Sequence, residues 1–191
     1  MIGVTAFEIG NVAATLFILR ASSQLDANHS TRSATTIALG LYVLYNVAAT
    51  IVSLPAGRIS DRLGRRGPLF VLAAGATAFL VSFLGFAVNT TNLVPLAVAF
   101  AIAGIGIGCA ETAQHSAVAA LAPQHIRGSA FGLLATIQAL GNFAASAVAG
   151  LLWTAVSPTV AFTYLAVWML VALMAIARTG VQQTQRTEAV T

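Results

Sequence analysis

Six long stretches of apolar residues, separated by short polar breaks, dominate this sequence. They lie at about 2–20, 34–56, 68–88, 93–114, 128–152 and 159–178. A helix needs about 20 mostly apolar residues to cross the hydrocarbon core of a bilayer, so each stretch is a candidate membrane span. Only 7% of the residues are charged, against about 25% in soluble domains. The chain therefore cannot cover itself with a polar surface, and its expected surroundings are lipid.

The six stretches are predicted to be helices rather than strands. Strands of a membrane barrel are about ten residues long and alternate strictly between apolar and polar side chains, a pattern that this sequence lacks. A helix also satisfies its backbone polar groups within its own segment, as lipid requires. The sequence thus predicts an all-α polytopic membrane domain over residues 1–178, followed by a polar, disordered cytoplasmic tail over 179–191.

The positions of the arginines predict the orientation of the spans, because positively charged loops remain in the cytoplasm. The chain has no lysine. If both termini are cytoplasmic, only Arg20 and Arg32 fall outside, whereas the cytoplasmic breaks hold Arg58, Arg62, Arg65, Arg66 and Arg127. We therefore expect a multi-pass protein of the cell membrane with both termini inside. Arginines placed in breaks, rather than along one face, do not indicate nucleic-acid binding.

The first span fits this orientation poorly when it is considered alone. Arg20 follows it and no basic residue precedes it, which favours insertion the other way round. A cytoplasmic segment before Met1 would resolve the conflict. The alternative is that the arginine cluster after the second span fixes the orientation of both spans.

Polar residues recur at helical spacing on four of the spans, whereas the third and sixth are almost wholly apolar and are expected to face lipid. We interpret the small and hydroxyl residues of these stripes as helix-packing positions. The larger polar residues are interpreted as lining a cavity that binds a substrate or a proton. These candidates are Glu8, Asn11, Tyr42, Asn46, Gln138 and Asn142.

Glu8 is the most informative of these candidates. At a rise of about 1.5 Å per residue it lies about 5 Å from the middle of a span over 2–20. A carboxylate at the centre of a bilayer costs roughly 2.5–3.5 kcal/mol on insertion scales, so such residues usually carry protons or pair with substrates. The alternative is that the span starts later and Glu8 lies near the membrane interface.

The break after the second span carries a specific motif. It reads Gly57-Arg58-Ile59-Ser60-Asp61-Arg62-Leu63-Gly64-Arg65-Arg66. Gly57 and Gly64 allow close approach and a tight turn, and Asp61 can face the positive N-terminus of a neighbouring helix. Glu111 is the acid placed to pair with Arg62 or Arg65. The alternative is a solvated loop whose arginines serve only to fix the topology.

This motif resembles the G-x-x-x-D-R-x-G-R-R loop of the major facilitator superfamily. Residues 108–132 and 149–158 are similar to the connections between the last three helices of that family. The resemblance covers most of residues 7–178 and corresponds to the C-terminal six of about twelve helices. It implies that the loop clamps a cytoplasmic gate, with Gly57, Asp61, Arg62, Gly64, Arg65, Arg66 and Glu111 as gate residues.

The resemblance also implies a function. Such transporters bind a small solute between two six-helix halves, lined by the first, second, fourth and fifth helix of each. We therefore expect proton-coupled transport of a small organic solute, with the missing half or a second copy as partner. The alternative is a truncated membrane protein that does not transport and acts only as an interaction partner or homodimer. No residue pattern indicates catalysis, a metal site or a cofactor, so an enzyme is not expected.

Overall fold

The computed structural model describes residues 2–188, apart from the side chains of residues 2–4, 6, 65 and 180–188. Over this range the chain forms α-helices and no strands. The helices are α1 (Ile2–Gly10), α2 (Thr15–Leu25), α3 (Thr31–Arg62), α4 (Gly67–Ala87), α5 (Leu93–Leu121), α6 (Arg127–Ala155) and α7 (Pro158–Glu188). Short 3₁₀ turns over Gly64–Arg66 and Gln124–Ile126 precede α4 and α6.

Five of the described helices, α3 to α7, are long and apolar enough to cross a membrane. The two shorter helices α1 and α2 follow one another and together correspond to the first of the six predicted spans. The all-α, multi-pass class predicted from the apolar stretches is therefore confirmed. The helices reach further than the stretches do, because α3 includes Gly57–Arg62 and α5 continues to Leu121. In addition, α7 continues to Glu188, where the sequence predicts a disordered tail.

The first span is broken, although its sequence predicts one helix. Residues 11–14 separate α1 from α2 and lack helical structure. A break inside a membrane must satisfy the backbone groups that it frees. Here the Ala13 N–H donates to Ser146 Oγ of α6 at 3.0 Å, and the Asn11 N–H donates to the Glu8 carbonyl at 3.1 Å. The break is therefore maintained by a contact with a helix distant in sequence.

The C-terminal end of α4 is capped by α2. The Arg20 side chain is buried, with its Nε donating to the Phe86 carbonyl at 2.9 Å and its Nη2 to Asn89 Oδ1 at 2.7 Å. Gln24 Nε2 donates to the Val88 carbonyl at 2.9 Å. The last carbonyls of a helix have no partner within the helix, so α2 supplies donors to them. Arg20 is thus a structural cap rather than a free charge of the loop that follows the first span.

Aromatic side chains from α2, α4, α5 and α7 form a compact cluster near this cap. Phe17 lies at its centre, with ring centroids 4.9 Å from Phe86 and 5.9 Å from Phe83. Phe100 and Phe162 pack against Phe86 at 5.2 and 5.3 Å. All five side chains are fully buried. Packing of α2 against this cluster holds the second half of the broken span in place.

Glycines allow α5 to approach α3 very closely. A Cβ added at Gly104 would overlap the Tyr45 carbonyl oxygen, and one added at Gly108 would lie 2.5 Å from the Ala49 carbonyl oxygen. Small residues at such crossings are typical of membrane helix pairs, where packing replaces the hydrophobic effect as the attraction. The packing interpretation of these two stripe residues is therefore confirmed.

Replacing Gly104 by alanine should destabilise the bundle, because the obstructing atoms belong to the α3 backbone and cannot move aside. Overpacking of this kind costs about 1–3 kcal/mol. Gly132→Ala on α6 is a matched control, since no atom lies within 4 Å of the added Cβ and both variants gain the same helix propensity. We expect the thermal midpoint in detergent to fall for Gly104→Ala and not for Gly132→Ala. Equal midpoints would contradict the packing described.

Candidate functional site

Four spans enclose a cavity of about 330 Å³. Its wall comes from the broken first span, α3, α5 and α6, the spans that carry the polar stripes. The helices α4 and α7 do not contribute to the described lining. The lining residues are Phe7, Glu8, Asn11, Val12, Ala14, Tyr45, Ile107, Ala110, Glu111, Gln114, Gln138, Ala139 and Asn142.

Glu8 lies in the wall of this cavity with only 1% of its surface exposed. Both carboxylate oxygens accept hydrogen bonds: Oε2 from Asn11 Nδ2 at 3.1 Å and Oε1 from Gln114 Nε2 at 2.6 Å. Two donors stabilise a buried carboxylate that would otherwise be very costly in an apolar setting. Glu8 is thus buried between three helices, and its depth in the membrane stays a prediction.

A chain of three side chains leads from Glu8 across the cavity. Gln114 on α5 donates to Glu8 and accepts, through its Oε1, from Gln138 Nε2 on α6. Gln114 is 3% exposed, and Gln138 is half-buried at the cavity wall. The chain therefore connects α1, α5 and α6 through polar atoms only. We refer to Glu8, Gln114 and Gln138 as the amide chain.

Gly141 sets the distance between α6 and α1. A Cβ added there would lie 2.5 Å from Glu8 Cβ and 3.1 Å from the Glu8 carbonyl oxygen. Because Gly141 has no side chain, α6 can contact the backbone of α1 at Glu8. Because Gln138 lies on the same helix one turn before Gly141, this contact also fixes the position of the far end of the amide chain.

The structure brings together four of the six cavity candidates. Glu8, Asn11, Gln138 and Asn142 all line the cavity, whereas Tyr42 and Asn46 do not. Those two lie on an outer groove of α3, and Asn46 Nδ2 donates to the Tyr42 carbonyl of its own helix at 2.8 Å.

Gln114, which makes the central link of the amide chain, is not among the residues predicted from the sequence. It lies at the very end of the apolar stretch 93–114, where a polar residue does not stand out. In the structure α5 continues to Leu121, so Gln114 lies inside the helix, three residues after Glu111. That spacing was the available signal, since residues three apart share a helix face.

The gate motif divides between a helix and a turn. Gly57–Arg62 form the end of α3, and Gly64 has φ of +55°, a conformation that favours glycine. Close approach occurs at Gly67 instead of Gly57: an added Cβ at Gly67 would overlap the Ser60 carbonyl oxygen, whereas at Gly57 the nearest atom is 3.7 Å away. Arg58, Asp61 and Arg62 are exposed.

Glu111 does not pair with Arg62 within the described part of the chain. Thr112 packs beside Gly57, which places Glu111 at about the level of Gly57 on α3. Arg62 is one and a half turns further along that helix, roughly 7 Å away at 1.5 Å per residue. Glu111 instead lines the cavity that contains Glu8. Because the Arg65 side chain is outside the described residues, its pairing with Glu111 stays a prediction.

Known proteins resemble this chain in sequence and in fold. The profile of the Major Facilitator Superfamily matches residues 2–189. An uncharacterised MFS-type transporter of Methanocaldococcus jannaschii is 34% identical over 160 residues, which cover 83% of this chain and 38% of that protein. The inward-open conformation of the xylose transporter XylE from E. coli is similar with a TM-score of 0.70 at 19% identity, over 92% of this chain and 46% of that one.

The chain thus spans less than half the length of each of these two proteins. The likeness to the xylose transporter shows a shared fold. The profile match extends over nearly all of the sequence and includes the loop motif between α3 and α4. The chain therefore belongs to the Major Facilitator Superfamily.

Proposed function

We propose that this chain is the solute-binding half of a secondary transporter, and that it moves a small organic solute across the membrane together with a proton. The observation that carries the proposal is Glu8, a buried carboxylate in a cavity between four spans. An ionisable residue at membrane depth is costly and is normally kept for transport of ions or solutes. Its position just before the break at residues 11–14 adds support, since transporters build their sites at discontinuous helices.

The cavity favours a neutral or cationic solute over an anion. Its described wall holds two acids, Glu8 and Glu111, four amide side chains and one phenol, and no basic residue. Amides donate and accept hydrogen bonds, so they suit hydroxyl-bearing or amine-bearing solutes. A carboxylate or phosphate group would meet repulsion from the acids without a compensating cation.

A screen in proteoliposomes tests transport with solutes of different charge. Vesicles that contain the chain together with its second half, and that are loaded with a pH-sensitive dye, would receive neutral, cationic and anionic solutes in turn, beginning with xylose, an organic amine and a dicarboxylate. A member of the neutral or cationic groups should move protons into or out of the vesicles with it. Proton movement only with anions would overturn the solute class, and none with any solute would favour a protein that does not transport.

The transport proposal requires a second six-span half, either an N-terminal half or a second copy. The helices α3 and α6 have little buried surface within this chain, and their exposed faces mix apolar side chains such as Leu54 and Leu140 with polar Asn46 and Thr50. Exposed amides and hydroxyls fit a protein or aqueous partner better than lipid. An immunoblot of native membranes with an antibody against the C-terminal residues distinguishes the two, because a fused half would double the mass.

Both termini are proposed to be cytoplasmic. The breaks that this orientation places in the cytoplasm hold five arginines, against Arg20 and Arg32 outside, which supports the proposal. Single cysteines at Ala27 and Gln124, both exposed, would lie on opposite sides. In intact cells carrying Cys109→Ser, an impermeant maleimide should label Ala27→Cys and spare Gln124→Cys. The reverse labelling would invert the topology.

A further inference from the structure

The amide chain has a direction that depends on Glu8. An ionised carboxylate only accepts hydrogen bonds, so Gln114 must turn its Nε2 towards Glu8 and its Oε1 towards Gln138. Gln138 must then donate its own Nε2 to Gln114, which matches the contacts observed. Because Gln138 lines the cavity and uses its Nε2 for Gln114, its Oε1 is left to accept a hydrogen bond from a cavity water or a solute. The charge of Glu8 thus fixes the orientation of both glutamines.

We infer that Gln114 transmits the protonation state of Glu8 to Gln138 by reversing every hydrogen bond in the amide chain. This inference rests on the proposed role of Glu8 as a proton site. A hydronium ion that enters the cavity transfers a proton to Glu8 Oε1, which becomes a hydroxyl, and a neutral water remains. The hydroxyl now donates to Gln114, which accepts with Oε1 after its amide rotates by half a turn. Gln114 Nε2 then donates to Gln138 Oε1.

The geometry permits this reversal without moving the backbone. The oxygen and nitrogen of a terminal amide have nearly the same size and position, so rotation exchanges donor and acceptor in place. Asn11 holds Glu8 Oε2 throughout, which directs the proton to the oxygen that faces Gln114. After reversal, Gln138 Nε2 is free to donate into the cavity where its Oε1 had been free to accept. Gln138 therefore offers the solute opposite chemistry in the two protonation states.

Other titratable groups near Glu8 are few. Glu111 of α5 and Tyr45 of α3 line the same cavity, and His115 of α5 stacks on Phe131 at 5.7 Å, outside the lining. In the described residues, α6 contributes amides and no charged group to the wall. From α7, Tyr164 contacts Trp168 and is not part of the lining.

The test follows the side-chain amide signals of the glutamines by nitrogen-15 NMR during a pH titration of the full chain in lipid nanodiscs. The Glu8 carboxyl carbon, labelled with carbon-13, reports its own protonation. We expect the signals of Gln114 and Gln138 to shift with the same midpoint as Glu8. Gln24 is the matched control: like Gln114 it is buried, and it donates to the Val88 carbonyl, away from the cavity, so its signal should not follow that midpoint.

Gln114→Met distinguishes transmission through the hydrogen bonds of Gln114 from a direct effect of the Glu8 charge on the Gln138 signal. Methionine fills nearly the same space, cannot donate and accepts only weakly, so Glu8 should still titrate while the linked shift of Gln138 falls to that of Gln24. A Gln138 signal that still follows Glu8 in this variant would overturn the inference, as would a Gln138 that never shifts in the native chain. An unchanged far-ultraviolet helix signal confirms that Gln114→Met is folded; if it unfolds, Gln114→Leu replaces it.

This measurement uses neither a solute nor a gradient. A native chain with a working amide chain but no transport in the vesicle screen would sink the proposed function alone. If the chain moves solute together with protons while the Gln138 amide signal does not follow Glu8, only the inference about the amide chain is contradicted.

Discussion

Glu8→Gln is expected to abolish accumulation driven by a proton gradient. A gradient of one pH unit is worth about 1.4 kcal/mol, which supports roughly tenfold accumulation of a solute that moves with one proton. Glutamine has nearly the shape of glutamate and can make hydrogen bonds with Asn11 and Gln114 in place of those observed. It cannot gain or lose a proton, so the solute should only equilibrate and the ratio should fall to about one.

Two measurements separate lost coupling from lost folding. Exchange of labelled for unlabelled solute without a gradient should persist in Glu8→Gln, because exchange needs the cavity but not the proton cycle. Asp26→Asn makes the same chemical change at an exposed acid after α2 and should leave accumulation at the native level. Accumulation by Glu8→Gln equal to that of the native chain would remove Glu8 from the coupling mechanism.

The membrane class and the four cavity-lining spans could be predicted from the sequence because both depend on local patterns. Apolar length decides whether a segment crosses a bilayer, and polar residues at helical spacing show that one face avoids lipid. The pattern does not say where that face points within the bundle. Asn46 lies on a polar stripe like that of Gln138, yet α3 turns it to the outside of the chain whereas Gln138 reaches the cavity.

The break in the first span and the hydrogen bonds made by Gln114 at the centre of the amide chain could not be predicted, because both depend on partners distant in sequence. Residues 11–14 contain no proline. They leave the helix where Ser146 accepts the Ala13 N–H and the glycine at 141 brings α6 against Glu8. Gln114 likewise makes its two hydrogen bonds only because α5 places it between Glu8 and Gln138. Contacts of this kind are absent from any local window of sequence.

Arg20 shows how a distant partner changes the interpretation of a charge. Counted as a loop residue, Arg20 opposes the predicted orientation of the first span. In the structure it is 3% exposed and binds the Phe86 carbonyl and Asn89. A buried arginine of this kind connects α2 to α4 and contributes little to the charge of the outer surface. Its effect on stability should therefore be large.

Arg20→Met should cost roughly 2–3 kcal/mol, since hydrogen bonds to a charged group are worth about 1.5–3 kcal/mol and the Phe86 carbonyl would be left buried without this donor. Chains of this size lose roughly 2–4 °C of thermal midpoint per kcal/mol, so a fall of roughly 5–10 °C is expected. Cys109 is the sole cysteine and is buried, so a thiol-reactive dye reports unfolding directly. Arg32→Met, at an exposed arginine of α3, makes the same substitution and should leave the midpoint unchanged. Equal midpoints for the two variants would mean that Arg20 does not hold α2 to α4, and α2, the second half of the broken span, would then be free to move with α1.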